Sequence, residues 1–132
     1  MERMTASSLL LSVVICTHNP RKDFLSRTVE GLGRQTLPSS RWELLVIDNA
    51  STEPIGNRFA ASGQPRPRVN RQELFGLRST RLSGIKESTA GLIVFVDVDN
   101  VLCPDYLQKA CAIHERLPML GVIHVDEEDG AT

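Results

Sequence analysis

The sequence predicts an α/β fold, a mostly parallel sheet with helices on both faces. Three observations carry that prediction. The apolar runs "LLSVVICT", "ELLVID" and "LIVFVD" lack the polar alternation of a half-exposed strand, so each is expected to be buried on both faces. Segments with helical spacing of apolar residues separate the runs, as strand–helix–strand units require. Polar residues follow the runs directly, at Thr17, His18 and Asn19, at Asp48 and Asn49, and at Asp97 and Asp99.

Taken in order, Leu9–Cys16 is the first strand. Asn19-Pro20 fits a helix N-cap with proline in the first turn. "RKDFLSRTVEGLGRQ" then brings Phe24, Leu25, Thr28, Val29 and Leu32 to one helical face. "WELLVIDNAS" is the second strand, followed by a short helix over Glu53–Ala61 and a weak strand over Pro67–Gln72. "LRSTRLSGIKESTAG" reads as a helix that turns Leu82 and Ile85 inward and ends on a Gly91 cap. "LIVFVD" is the expected central strand, and the helix in "PDYLQKACAIHERL" buries Leu107, Ala110, Cys111 and Leu117. "LGVIHV" supplies a fifth strand. Residues 9–125 form one domain between an N-terminal tail, 1–8, and a C-terminal tail, 126–132; a chain of 132 residues suffices for one core.

Composition narrows the function. A formal charge of −1 gives no electrostatic case for a nucleic-acid partner. Three cysteines, Cys16, Cys103 and Cys111, have neither disulfide nor zinc spacing and are expected as reduced thiols of a cytoplasmic protein. The N-terminal apolar run is short, is broken by Ser12 and runs into "THNPRK", unlike a cleaved leader.

In a parallel sheet the C-terminal strand ends share one edge, where ligands bind near a switch in strand order. All three polar groups are expected there. Asp97 and Asp99 repel each other unless a positive partner sits between them. A helix cap and a surface turn residue is the plainer reading of the pair. A calcium loop of the EF-hand type is excluded, because Val101 falls where a ligand is needed. "VFVDVDNVL" also resembles the nucleophile motif of haloacid-dehalogenase phosphatases, but only 33 residues follow Asp99, too few for the later strands of that fold.

Together the pieces resemble the N-terminal, nucleotide-binding half of inverting nucleotide-sugar glycosyltransferases of family 2, which have the Rossmann-like GT-A fold. "SVVICTHNP", "LLVIDNAST", "QELFGLRSTRLSGIKESTAG" and "LIVFVDVDNVLCPDYL" match in order and spacing from about Leu11 to Val125. The resemblance implies that Thr17, His18 and Asn19 meet the nucleobase and ribose, and that Asp48 and Asn49 recognise the base. Asn49 stands where the family often has a second acid; an amide can still pair with a base edge. Arg81 matches the arginine near the donor diphosphate, although "RSTR" also allows a solvated helix face, and Leu82 replaces the asparagine usually beside it. Gly84 matches the helix glycine, Asp97 the residue near ribose and metal, and Asp99 the direct metal ligand; Asn100 replaces a frequent third acid.

Mn²⁺ or Mg²⁺ is the implied cofactor, neutralising charge on the departing nucleotide diphosphate. The implied partners are a nucleotide-diphosphate sugar and an acceptor hydroxyl on a saccharide, lipid or protein. The family's general base lies beyond the Asp-x-Asp motif, so a partial domain, inactive alone, is expected. In the full-length context it could sit peripherally on a membrane, and an unpaired sheet edge would favour self-association. The alternative is a non-catalytic nucleotide-binding or assembly module.

Overall fold

A computed structural model describes residues 9–55, 67–73 and 75–117. Strands β1 (Leu11–Thr17), β2 (Trp42–Asn49), β3 (Arg68–Gln72) and β4 (Ile93–Phe95) form a parallel sheet in the order β3-β2-β1-β4. Helices α1 (Lys22–Gly33), α2 (Leu77–Glu87) and α3 (Tyr106–Arg116) complete the described elements.

Strand parity divides the core. Val13 pairs with Leu44 on one side and Val94 on the other, and these residues share a face with Leu11, Ile15 and Val46. Leu25 and Leu32 of α1, with Leu107 and Ala110 of α3, complete that larger core. On the opposite face the fully sunk hydrophobic residues among those described are Val14, Leu45 and Ile47, with Cys16 and Ile93 beside them. The apolar β1 and β2 runs are therefore buried on both sides, as their lack of alternation requires.

The smaller face is covered by α2 in an unexpected way. Leu82 and Ile85 do not turn inward; they are 57% and 49% exposed. The helix meets the sheet through Thr80, which is buried, and Gly84, one turn apart on one face. A Cβ on Gly84 would stand 2.6 Å from Val14 Cγ1. Hydrophobic spacing misplaces this face because its contact residues are the small ones. The helix also stops at Glu87, not Gly91, where the N–H and hydroxyl of Ser88 both turn back to the Gly84 carbonyl.

Other boundaries shift for similarly local reasons. Asn19 is not the cap of α1: it takes a positive φ of 47° in the preceding loop, and the helix begins after Arg21. Leu117 lies past the end of α3 and is 55% exposed, whereas Leu107 and Ala110 are buried as expected. Glu53–Ile55 are not helical, and the rest of that expected helix lies outside the described residues. So do the proposed fifth strand and both tails. Among the described strands β4 lies at the edge; its expected central position depends on the fifth strand, which lies outside them.

At the N-terminal end of the sheet, opposite the expected ligand edge, a half-buried carboxylate ties four segments together. Glu43 accepts hydrogen bonds from the Ser12 hydroxyl at 2.5 Å, the Thr89 N–H at 2.8 Å and Arg68 Nη2 at 3.0 Å. Ser12 Oγ in turn accepts the Ala90 N–H, so the polar atom in the middle of an apolar strand is satisfied.

Candidate functional site

The strand order reverses at β1: β2 and β3 lie to one side of it, β4 to the other. In an open parallel sheet the C-terminal strand ends at such a switch are the expected ligand edge, although here the chains leaving β1 and β4 both continue to the larger core, where α1 and α3 pack on one face.

The loop after β1 is zipped to the loop after β2. The Asn19 N–H donates to Ser51 Oγ at 2.8 Å, and Asn19 Oδ1 accepts the Thr52 N–H at 2.8 Å. His18 Nδ1 lies 2.7 Å from the Asn49 carbonyl, which can only accept, so Nδ1 carries the proton. Its Nε2 then accepts from Asn19 Nδ2 at 3.1 Å. Thr17, the last residue of β1, is buried opposite Asp48.

Asp48 is 1% exposed and fully engaged. Oδ1 accepts the Ser51 N–H, and Oδ2 accepts both the Ile55 N–H and Arg71 Nη1, each at 3.1 Å. Burial opposes the charged form, but the Ser51 hydroxyl, these backbone donors and Arg71 outweigh it and hold the carboxyl below its ordinary range. In this arrangement Asp48 shapes the loop after β2 from within. Asn49, also buried, accepts the Gly76 N–H on its Oδ1 at 3.0 Å and so anchors the start of α2.

Asp97 and Asp99 follow β4. Val96 and Val98 sink toward the larger core, while both aspartates stay in solvent. A turn closed by the Asn100 N–H on the Asp97 carbonyl shapes the segment. Helix α1 fixes it from below: the Thr28 hydroxyl donates to the Val98 carbonyl, and the absent side chain of Gly31 makes room for Val101. Neither carboxylate enters an ion pair among the described residues.

Arg81 projects from α2 with its guanidinium carbon 5.8 Å from the centre of the Phe95 ring. It is also close enough to Cys16 to counter, in part, the burial that pushes that thiol up to about 11. Such a thiol is no nucleophile near neutral pH. Cys16 and Phe95 lie toward the ends of β1 and β4, so Arg81 lies near the C-terminal edge of these two strands.

No group of three or more His, Cys, Asp or Glu side chains forms a cation cage among the described residues. Two exposed, uncommitted carboxylates nonetheless fit a hard divalent cation, which commonly takes one or two protein oxygens and completes its shell with phosphate and water. Sequence reasoning missed Arg71 and Ser51, and it placed Thr28 on the inward helix face without its bond to the Val98 carbonyl. Only Arg71 left a usable signal: it sits opposite Asp48 in the β2–β3 register, so pairing the two strands would have matched the charges.

The comparisons agree with this architecture. Residues 12–128 match the family model described as glycosyl transferase family 2. The chain belongs to that family. A validoxylamine A glucosyltransferase from Streptomyces hygroscopicus subsp. limoneus is 36% identical over 118 residues, 86% of this chain and 26% of the relative. The glycosyltransferase AglE of Haloferax volcanii is 28% identical over 99 residues, covering 73% of this chain and 32% of that one. The crystal structure of S. aureus TarS 1-349 superposes with a TM-score of 0.69 at 23% identity, over 80% of this chain and 32% of TarS. This family 2 chain thus spans about a quarter to a third of the length of these proteins, and the TarS likeness establishes the shared fold. Family membership also sets aside the phosphatase alternative.

Proposed function

We propose that this chain is the donor-binding portion of a glycosyltransferase that moves a sugar from a nucleotide diphosphate to an acceptor hydroxyl. One observation carries the reading: at the β1–β4 switch two exposed carboxylates follow β4, and the Arg81 guanidinium lies beside Phe95, the last residue of β4, none of the three in an ion pair among the described residues. A nucleotide diphosphate complements that pattern. Arg81 supplies a charge-assisted donor to phosphate oxygens, while Asp99 and Asp97 hold Mn²⁺ or Mg²⁺. The cation, when bound, neutralises charge that builds on the departing diphosphate.

In the reaction proposed, the acceptor oxygen forms a bond to the anomeric carbon as the bond to the diphosphate oxygen breaks, with inversion. The acceptor proton passes to a base, a role we assign to no described residue, so the chain alone is expected to bind donor without transferring sugar. Thr17, His18, Asn19, Asp48 and Asn49 form the nucleoside end of the site, with Asp48 acting by holding the loop. A relative named for glucosyl transfer and a TarS structure described as a complex with UDP-GlcNAc support a nucleotide-sugar donor.

Calorimetric titration with UDP, GDP and dTDP, with and without Mn²⁺, tests the proposal. Binding of one nucleotide, strengthened by Mn²⁺ and losing that dependence on Asp99→Ala, is expected. Failure to bind any of the three, with metal present, would leave only a structural module.

A further inference from the structure

Two exposed rings meet at the nucleoside end of the proposed site without an assigned role as a pair. Phe75 is 69% exposed, and its ring centre lies 4.7 Å from that of His18 at an interplanar angle of 71°. Building on the donor-site reading, we infer that Phe75 and His18 together form the surface on which the nucleobase stacks, with Phe75 a determinant of affinity.

The hydrogen bonding of His18 dictates what it can offer. Its Nδ1–H is taken by the Asn49 carbonyl and its Nε2 by the Asn19 amide. Neither nitrogen is left for a ligand, so the ring presents its faces and its C–H edge. Those same bonds fix its orientation. Phe75 is held to the same anchor, because the adjoining Gly76 N–H donates to Asn49 Oδ1. Two rings from segments 57 positions apart are thereby fastened to one buried asparagine.

Single exposed apolar residues are ordinary. Leu82 and Ile85, for example, are aliphatic side chains on the open side of α2. Phe75 differs in packing edge-to-face on an immobilised ring while most of its own surface stays open. A planar base finds there an apolar π-face, whose stacking tolerates every base and adds to whatever hydrogen bonds select one. The preorganised rings lose little freedom on binding.

The test uses the 132-residue chain, titrated with UDP and, separately, with inorganic pyrophosphate, both in Mn²⁺. Phe75→Ala is expected to weaken UDP about tenfold and leave pyrophosphate unchanged, while Phe75→Tyr binds UDP like the parent. Ring-current upfield shifts of the uracil H5 and H6 resonances in the unsubstituted chain, lost in Phe75→Ala, provide a readout independent of affinity. If the parent binds UDP but Phe75→Ala binds equally well, with unchanged base resonances, the stacking surface is refuted while the donor-site reading stands. If the parent binds pyrophosphate but no nucleoside diphosphate more tightly, both readings fall.

Discussion

Arg71 of β3 donates from Nη1 to Asp48 Oδ2 at 3.1 Å, across the register position that pairs the two residues. Its Nε, at 2.7 Å, holds the exposed Glu73, so one guanidinium spans from solvent to a buried carboxylate. A buried charge is tolerated only when donors surround it. Removing Arg71 leaves Asp48 its backbone and hydroxyl partners, whereas removing Asp48 orphans two backbone N–H groups. We therefore predict that Arg71→Met lowers the unfolding free energy by about 1–2 kcal/mol and Asp48→Ala by about 2–5 kcal/mol. Urea midpoints measure both, and a reversed order would contradict the account of Asp48 as the hub.

The same carboxylates give the fold an acid-sensitive margin. Burial works against ionisation of Glu43, but the Ser12 hydroxyl, the Thr89 N–H and hydroxyl, and Arg68 overcome it, so its carboxyl also titrates below its ordinary range. A carboxyl whose folded value is depressed contributes stability that is complete above its unfolded value and vanishes as pH falls through the folded one. Stability should thus be flat near neutrality and decline below roughly pH 4. Glu43→Gln and Asp48→Asn should each be less stable at pH 7 and show a shallower acid slope. Urea unfolding repeated from pH 7 down to pH 3 checks the sign.

Gly84 is the point of closest approach between α2 and the sheet. Alanine there gains helix propensity of about 1 kcal/mol, yet its Cβ would meet Val14 Cγ1 at 2.6 Å, inside any normal contact. Overpacking of this kind typically costs about 1–3 kcal/mol, so Gly84→Ala is predicted to be destabilising overall. Val14→Ala removes the clashing methyl groups and should make the two substitutions non-additive, the double variant losing less than the sum. A thermal-denaturation cycle of the four proteins measures that coupling, and additivity would mean that the helix simply moves away.

The larger core was legible from sequence because long apolar strands and the spacing of Leu25, Thr28, Val29 and Leu32 admit one assignment. The Thr17–Asn19, Asp48–Asn49 and Asp97–Asp99 groups were legible as strand-end residues, since in a parallel sheet the end of a run fixes the edge. What each side chain does there was not. Asp48 and Asn49 look alike in sequence as polar residues awaiting a ligand, yet their oxygens accept protein donors supplied by residues 51, 55, 71 and 76. The orientation of α2 was hidden for a related reason: a contact made by threonine and glycine leaves no hydrophobic signature, and the exposed Leu82 and Ile85 leave a false one.

Asn19 combines a backbone demand with a side-chain one, and substitution can separate them. Its φ of 47° lies in the left-handed region, where an ordinary L-residue pays about 1–2 kcal/mol and glycine does not. Its amide holds the Thr52 N–H and faces His18 Nε2. Asn19→Gly keeps the conformation but loses the amide, and because the Thr52 contact is exposed, water replaces it at a cost of about 0.5–1 kcal/mol. Asn19→Ala loses the amide and strains the backbone, so it should be less stable than Asn19→Gly by about 1 kcal/mol. Amide exchange at Thr52 should accelerate in both variants, since both release the same N–H. An alanine variant as stable as the glycine variant would show that the loop relaxes out of the left-handed conformation instead of being held there by Ser51 and Thr52.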